Sequence, residues 1–237
     1  MAAWHDGVVI PTAQHPLHGV PVPEAPPLSD PPVADPPPIA ERGEPLVAVG
    51  PSERVALLNL YFAAGWDGTH PTVWLRAEVA RRLEAAARSL PAGFGLAVYD
   101  GWRSPQTIRA LYEHFYGPGS DLPPGFLADP DDPAVVPPHV TGAAVDVTLT
   151  WEGRALALGT CFDDFGPRAH LRALEDERAG DAARGLRRLL HRHLSGAGFV
   201  GLREEWWHVS FGDQRWAAAT GAASAPYGAT APTDVTC

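Results

Sequence analysis

Two histidines and an aspartate, His139, Asp146 and His208, have the types and order that a metal centre needs, and Glu205 stands three residues before the last of them. Catalytic zinc takes about three protein ligands and keeps a further position for water. The metal lowers the pKa of that water toward about 7, and a nearby carboxylate can take its proton. His139 and Asp146 lie seven residues apart with Gly142 between them. Seven residues of straight strand would span roughly 23 Å at about 3.3 Å each. Ligands of one ion place their donor atoms about 2 Å from it, so the chain must bend. Gly142 tolerates positive φ and can make that bend. Beyond it, Val145, Val147 and Leu149 alternate with Asp146 and Thr148, the pattern of a half-buried strand.

Glu205-Trp206-Trp207-His208 poses a question of side. On a flat strand, residues 205 and 208 point to opposite faces. Either a twist or bulge brings Glu205 to the site, or Glu204 is the base. Trp206 and Trp207 read as core aromatics that also keep water away. There is no His-Glu-x-x-His, which excludes the helical zinc-protease motif. Arg103, in Asp100-Gly101-Trp102-Arg103, falls between a strand end and a helix start, where functional groups are often mounted. A structural ion pair suits the same residue. Cys161 reads as a small buried hydrophobe. His170, His191 and His193, in arginine-rich stretches, read as solvated or capping groups.

The elements that must position these residues follow from periodicity. Leu75, Val79, Leu83, Ala86 and Leu90 predict a helix capped by Thr72 and ended by Pro91-Ala92-Gly93. Phe94–Asp100 alternates as a strand, and Ser104-Pro105 opens a helix with Ile108, Leu111, Tyr112 and Phe115 on its buried face. Residues 117–138 form a long Pro-, Gly- and Asp-rich loop of the kind that builds pocket walls or lids. The strand from Ala143 to Leu149 is expected to pair with Ala155–Leu158 in a hairpin. Leu186, Leu189, Leu190 and Leu194 mark the last long helix, and a strand starts at Phe199. The type of Ser52–Phe62 is ambiguous.

About a dozen of the 26 prolines fall in residues 1–45, which predicts an extended or disordered head. The catalytic domain is expected over residues 46–216, followed by a flexible tail over 217–237. The chain of 237 residues is 45% hydrophobic, enough for a core, and carries a net charge of −10. An acidic balance offers no footprint for nucleic acid or an anionic membrane. No apolar run approaches the ~20 residues of a membrane span, and the first residues lack a signal-peptide pattern. Two cysteines, Cys161 and Cys237, make no disulfide framework. A cytoplasmic enzyme fits these features.

The ordered motifs Asp100-Gly101-Trp102-Arg103, His139-x-x-Gly142-x-Ala144-x-Asp146 and Glu205-Trp206-Trp207-His208 resemble the D-alanyl-D-alanine dipeptidases of the VanX type. These belong to the zinc D,D-peptidases, with D,D-carboxypeptidases and hedgehog-like domains. The resemblance runs from about Val55 to Phe211. It implies an α+β fold with a central antiparallel sheet flanked by helices. It implies one Zn2+ on His139, Asp146 and His208, and Glu205 as general base. It further implies Arg103 as oxyanion or substrate contact, and Asp163 as the acid that meets the substrate ammonium. The substrate so implied is the small dipeptide D-Ala-D-Ala. A murein D,D-carboxypeptidase is the enzymatic alternative, and a non-catalytic zinc-binding module the alternative of another class. One departure concerns the substrate: Pro137 stands where the family has a serine, so a hydroxyl is lost beside the site.

Overall fold

The computed structural model describes residues 17, 19–122, 126–132, 134–175 and 182–233. In chain order the elements are β1 (Leu46–Val49), β2 (Val55–Leu57), α1 (Leu60–Ala63), β3 (Val73–Arg76), α2 (Ala77–Ser89), β4 (Phe94–Asp100) and α3 (Pro105–Tyr116). They continue with β5 (Ala144–Trp151), β6 (Arg154–Ala155), α4 (Ala182–Gly196), β7 (Val200–Gly201), β8 (His208–Ser210) and α5 (Gln214–Thr220). The main sheet runs β2-β4-β5-β8-β7, with β6 paired to β5. Its pairs are antiparallel except β2 with β4. This is the α+β architecture expected, with one parallel edge. β1 and β3 form a separate antiparallel ribbon.

The core explains the arrangement. β4 is buried along its whole length, and β5 up to its last residue, so both faces of the central sheet are covered. α2 presents Val79, Leu83, Ala86 and Ala87 inward, and α4 presents Leu186, Leu189, Leu190 and Leu194. The two helices pack on each other and on β4, β5 and β7. Phe162, Tyr99, Trp206 and Trp207 fill the remaining core as a chain of tilted and edge-on rings, a preferred geometry for aromatic pairs. Among the described residues no helix is long and apolar enough to cross a membrane.

Several local expectations change. Thr72 does not cap α2. Residues 73–76 pair with β1, so the helix starts at Ala77 with Arg76 at its N-cap, and Leu75 reaches the core from a strand. The stripe is real, but its first member belongs to the preceding element. The Ser52–Phe62 ambiguity resolves into a short strand and a short helix. The hairpin after β5 is tighter than expected: Glu152 and Gly153 both take positive φ, and pairing stops at Ala155. His191 is neither solvated nor capping. It is buried, with its Nε2 at 2.7 Å from the Trp206 carbonyl oxygen. His193 Nδ1 meets the Ser89 hydroxyl at 2.7 Å.

The segment after Trp216 differs from the flexible tail expected there. Trp216-Ala217-Ala218-Ala219 is strong helix-forming sequence, and Asp213 caps it by accepting from the Trp216 N–H at 2.7 Å. Ala225 and Tyr227 are then buried. Residues 38–42 run beside them: the Ala225 N–H donates to Pro38, Ala40 donates to Ala225, and Arg42 donates to Pro226. Cys237 lies outside the described residues.

Candidate metal centre

The bend between His139 and Asp146 is built from a 3-10 turn over Pro138–Thr141, closed by Gly142 at φ 68°. A Cβ at Gly142 would meet the end of the Leu46 side chain, which would have to shift, and the positive φ itself favours glycine. The turn is held from below by Arg76, a fully buried arginine whose Nε donates to the Thr141 carbonyl at 2.8 Å. The Arg76 backbone N–H donates to Gly142 at 2.9 Å. It is held from the side by Trp102, whose Nε1–H lies 3.2 Å from the Val140 carbonyl and 2.8 Å from that of Thr230. The chain then enters β5, where the ladder sets Asp146 opposite both Asp100 on β4 and His208 on β8.

His139, Asp146 and His208 each offer a donor atom, all within 4.8 Å of one another, and all three are buried. His139 Nε2 lies 3.1 Å from His208 Nδ1 and 3.4 Å from Asp146 Oδ2. His208 Nδ1 lies 3.0 Å from Asp146 Oδ1. Tetrahedral ligands about 2.0–2.1 Å from a zinc ion stand roughly 3.3 Å apart, so these separations fit one ion. The other ring nitrogen of His139, Nδ1, donates to the Gly101 carbonyl at 2.7 Å. That bond leaves the Nε2 lone pair facing the other two ligands, the usual device for orienting an imidazole ligand. Two nitrogens and a carboxylate form the donor set of catalytic zinc sites.

Glu205, not Glu204, is the carboxylate at this centre. Glu205 is buried, with Oε2 3.8 Å from His208 Nδ1, while Glu204 is half-exposed and does not line the pocket. The flat-strand objection fails because the strand starts only at His208. Before it the chain is bent, with the Trp206 N–H bonded to Ala169 and the Trp207 carbonyl bonded to Val147.

Arg103 follows β4 and donates to two buried carboxylates, Asp100 through Nε and Asp146 through Nη2 at 2.6 Å. Its guanidinium lies 4.6 Å from the Tyr61 ring centre. Tyr61 in turn donates to Asp163 Oδ2 at 2.7 Å. The structure thus joins Arg103 and Asp163 through Tyr61, a residue that spacing could not single out because its partners lie far along the chain. Asp163 also takes a φ of 56°, a conformation uncommon for a residue other than glycine.

A pocket opens beside these groups, lined by Tyr61, Arg103, Asp163, Glu205 and His208, with Phe126, Leu127, Pro137 and Pro138 from the long loop as wall. Its electrostatics are polarised. Burial, then the charges of Asp146 and Asp163, push the Glu205 carboxyl well above the ordinary carboxylate range. Burial raises Asp163 to about 7 against the pull of Arg103 and of the Tyr61 hydroxyl. Burial opposes ionisation of Asp146 too, but the neighbouring imidazoles of His139 and His208 and the charge of Arg103 outweigh it and hold that carboxyl far below its usual range. His208 is lowered to about 4, chiefly by burial, so its ring is neutral and able to ligate.

A D-alanyl-D-alanine dipeptidase of Synechocystis sp. is 27% identical over 215 residues, covering 76% of this chain and 87% of its own length. The D-alanyl-D-alanine dipeptidase of Escherichia coli K12 is 32% identical over 118 residues, covering 49% of this chain and 55% of its own. The crystal structure of the vancomycin-resistance D,D-dipeptidase VanXYg with a D-Ala-D-Ala phosphinate analogue aligns over 60% of this chain and 51% of that one, at 19% identity and a TM-score of 0.37. The sequence model of the D-ala-D-ala dipeptidase family (Peptidase_M15) matches residues 72–224, a span that contains Arg103, His139, Asp146, Asp163, Glu205 and His208. The chain belongs to the D-ala-D-ala dipeptidase family of metallopeptidases.

Proposed function

We propose that this enzyme hydrolyses the dipeptide D-Ala-D-Ala to D-alanine, with Zn2+ held by His139, Asp146 and His208. The observation that carries the reading is the convergence of His139 Nε2, His208 Nδ1 and the Asp146 carboxylate beside the buried Glu205 carboxyl. A zinc ion there supplies Lewis acidity and lowers the pKa of its water. Glu205 takes the proton of the attacking water and returns it to the leaving amine. Burial and the nearby charges of Asp146 and Asp163 raise its carboxyl above the ordinary range, the direction that helps it hold a proton between those two steps. Arg103 remains protonated throughout, because the surrounding carboxylates more than offset its burial. It steadies the negative charge that develops on the carbonyl oxygen. Asp163, aimed by Tyr61, takes the substrate ammonium. A cation arriving beside it favours its ionised form. The names of the relatives from Synechocystis and Escherichia coli support this substrate.

The test is D-alanine release from D-Ala-D-Ala by the zinc-loaded protein and by Glu205→Gln. A loss of about 10²–10⁴-fold in kcat in the variant, at unchanged zinc content, is expected for removal of a general base. Equal rates would remove Glu205 from the mechanism. No release by either protein would remove the substrate.

A further inference from the structure

Four basic side chains line the pocket: Arg103, His139, His208 and Arg215. Three are engaged. Arg103 is bound between Asp100 and Asp146, and the two histidines face each other and Asp146. Arg215 is different. It is half-buried, and among the described residues it has no hydrogen bond or ion pair. Its charge is nevertheless felt at Glu205, His208 and Asp213. A cation that lines a pocket without a partner of its own is available to a ligand.

The support beneath Arg215 is rigid. It stands on the first turn of α5, which Asp213 caps. The neighbouring Gln214 is buried, accepts from the Val136 N–H at 3.0 Å and donates to the Pro37 carbonyl at 3.1 Å. Arg215 is therefore fixed to the same loop that leads into His139. Other lining residues do not compete for its role: Leu127, Ala128, Pro137 and Pro138 bring no side-chain donor, and the prolines have no N–H. The remaining charged groups, Asp163 and Glu205, are acidic. The pocket thus has acidic groups that suit an ammonium and one unspent guanidinium that suits a carboxylate. A free dipeptide carries one of each.

We propose that Arg215 receives the free carboxylate of the substrate and so restricts the enzyme to peptides that end one residue after the cleaved bond. This rests on the dipeptidase reading above and names the residue that fixes the C-terminal end of its substrate. The planar fork of a guanidinium pairs bidentately with a carboxylate, which an amide or an extended peptide at that position cannot match.

The zinc-loaded Glu205→Gln protein permits binding to be measured without turnover. Calorimetry would compare D-Ala-D-Ala with its C-terminal amide, first in that protein and then with Arg215→Met or Arg215→Lys added. With Arg215 present, the free acid should bind about 10- to 100-fold tighter than the amide, the range of a charge-assisted pair. The ratio should fall to near one with methionine and to an intermediate value with lysine, which keeps the charge and loses the fork. Equal binding of acid and amide with Arg215 in place would overturn the proposal. So would an undiminished ratio in Arg215→Met, or failure of the free acid to bind. Turnover by the wild-type chain is scored separately. If D-Ala-D-Ala is bound with the expected ratio but never cleaved, the dipeptidase reading falls and the role of Arg215 stands.

Discussion

Arg103 shows how much one side chain does at this centre. It spans Asp100 and Asp146 while lying on Tyr61. Lysine is a point charge on a flexible stem and cannot hold both carboxylates in one plane. Arg103→Lys is therefore expected to lower kcat/KM by about 10²-fold or more with zinc content unchanged, measured by steady-state kinetics alongside metal analysis. Loss of zinc from the variant would instead make Arg103 a support for Asp146. At this scale the convergence of His139, Asp146 and His208 was legible in the sequence, because ligand chemistry is confined to few residue types and Gly142 marked the bend. The choice between Glu204 and Glu205 was not legible from spacing. It depends on where β8 begins, which is set by tertiary hydrogen bonds to Ala169 and Val147. Tyr61 was equally hidden, since its partner Asp163 is 102 residues away.

At the scale of elements, the critical part is the turn between His139 and Asp146. Gly142→Ala places a β-carbon both at φ 68° and against Leu46. A cost of about 1–3 kcal/mol in stability is expected from backbone strain of this kind, read as a lowered denaturation midpoint, with weaker zinc binding because the two ligands flank the turn. Trp102→Phe keeps the ring packing but deletes the Nε1–H that reaches Val140 and Thr230. It should weaken zinc affinity with little change in secondary structure, measured by chelator competition and circular dichroism. An unaltered affinity would mean that Arg76 alone fixes the turn. β4, β5 and the Ser104 cap of α3 were readable because alternation and capping are local signals. β3 was misread as helix because Leu75 happens to fall in register with the α2 stripe. Only pairing with β1 decides otherwise, and that is not local.

On the scale of the whole molecule, pH couples to folding through a histidine outside the centre. Burial lowers His191 from 6.5 to about 4, despite its bond to the Trp206 carbonyl. The folded chain therefore holds this ring neutral while the unfolded chain protonates it. The resulting stability is fully present above pH 6.5 and is lost as pH falls toward 4. The loss from this one group is on the order of 3 kcal/mol. His191→Gln should flatten the dependence in denaturant titrations of metal-free protein between those pH values. An equally steep dependence in the variant would assign the acid sensitivity elsewhere.

Segments around residues 41 and 228–230 meet beside the centre. Glu41 accepts from the Gly228 N–H across 187 residues, and Thr230 donates to Val140 and accepts from Trp102, next to the His139 turn. Such closure joins residues far apart in sequence, and contacts of that kind carry a large loop-closure entropy cost in folding. It also has a consequence for synthesis. While a ribosome is still translating the segment around residues 225–230, the turn that carries His139 lacks part of its backing. A chain truncated before this segment should bind zinc weakly even though His139, Asp146, Glu205 and His208 are all present. Full metal retention is expected only once these contacts have formed.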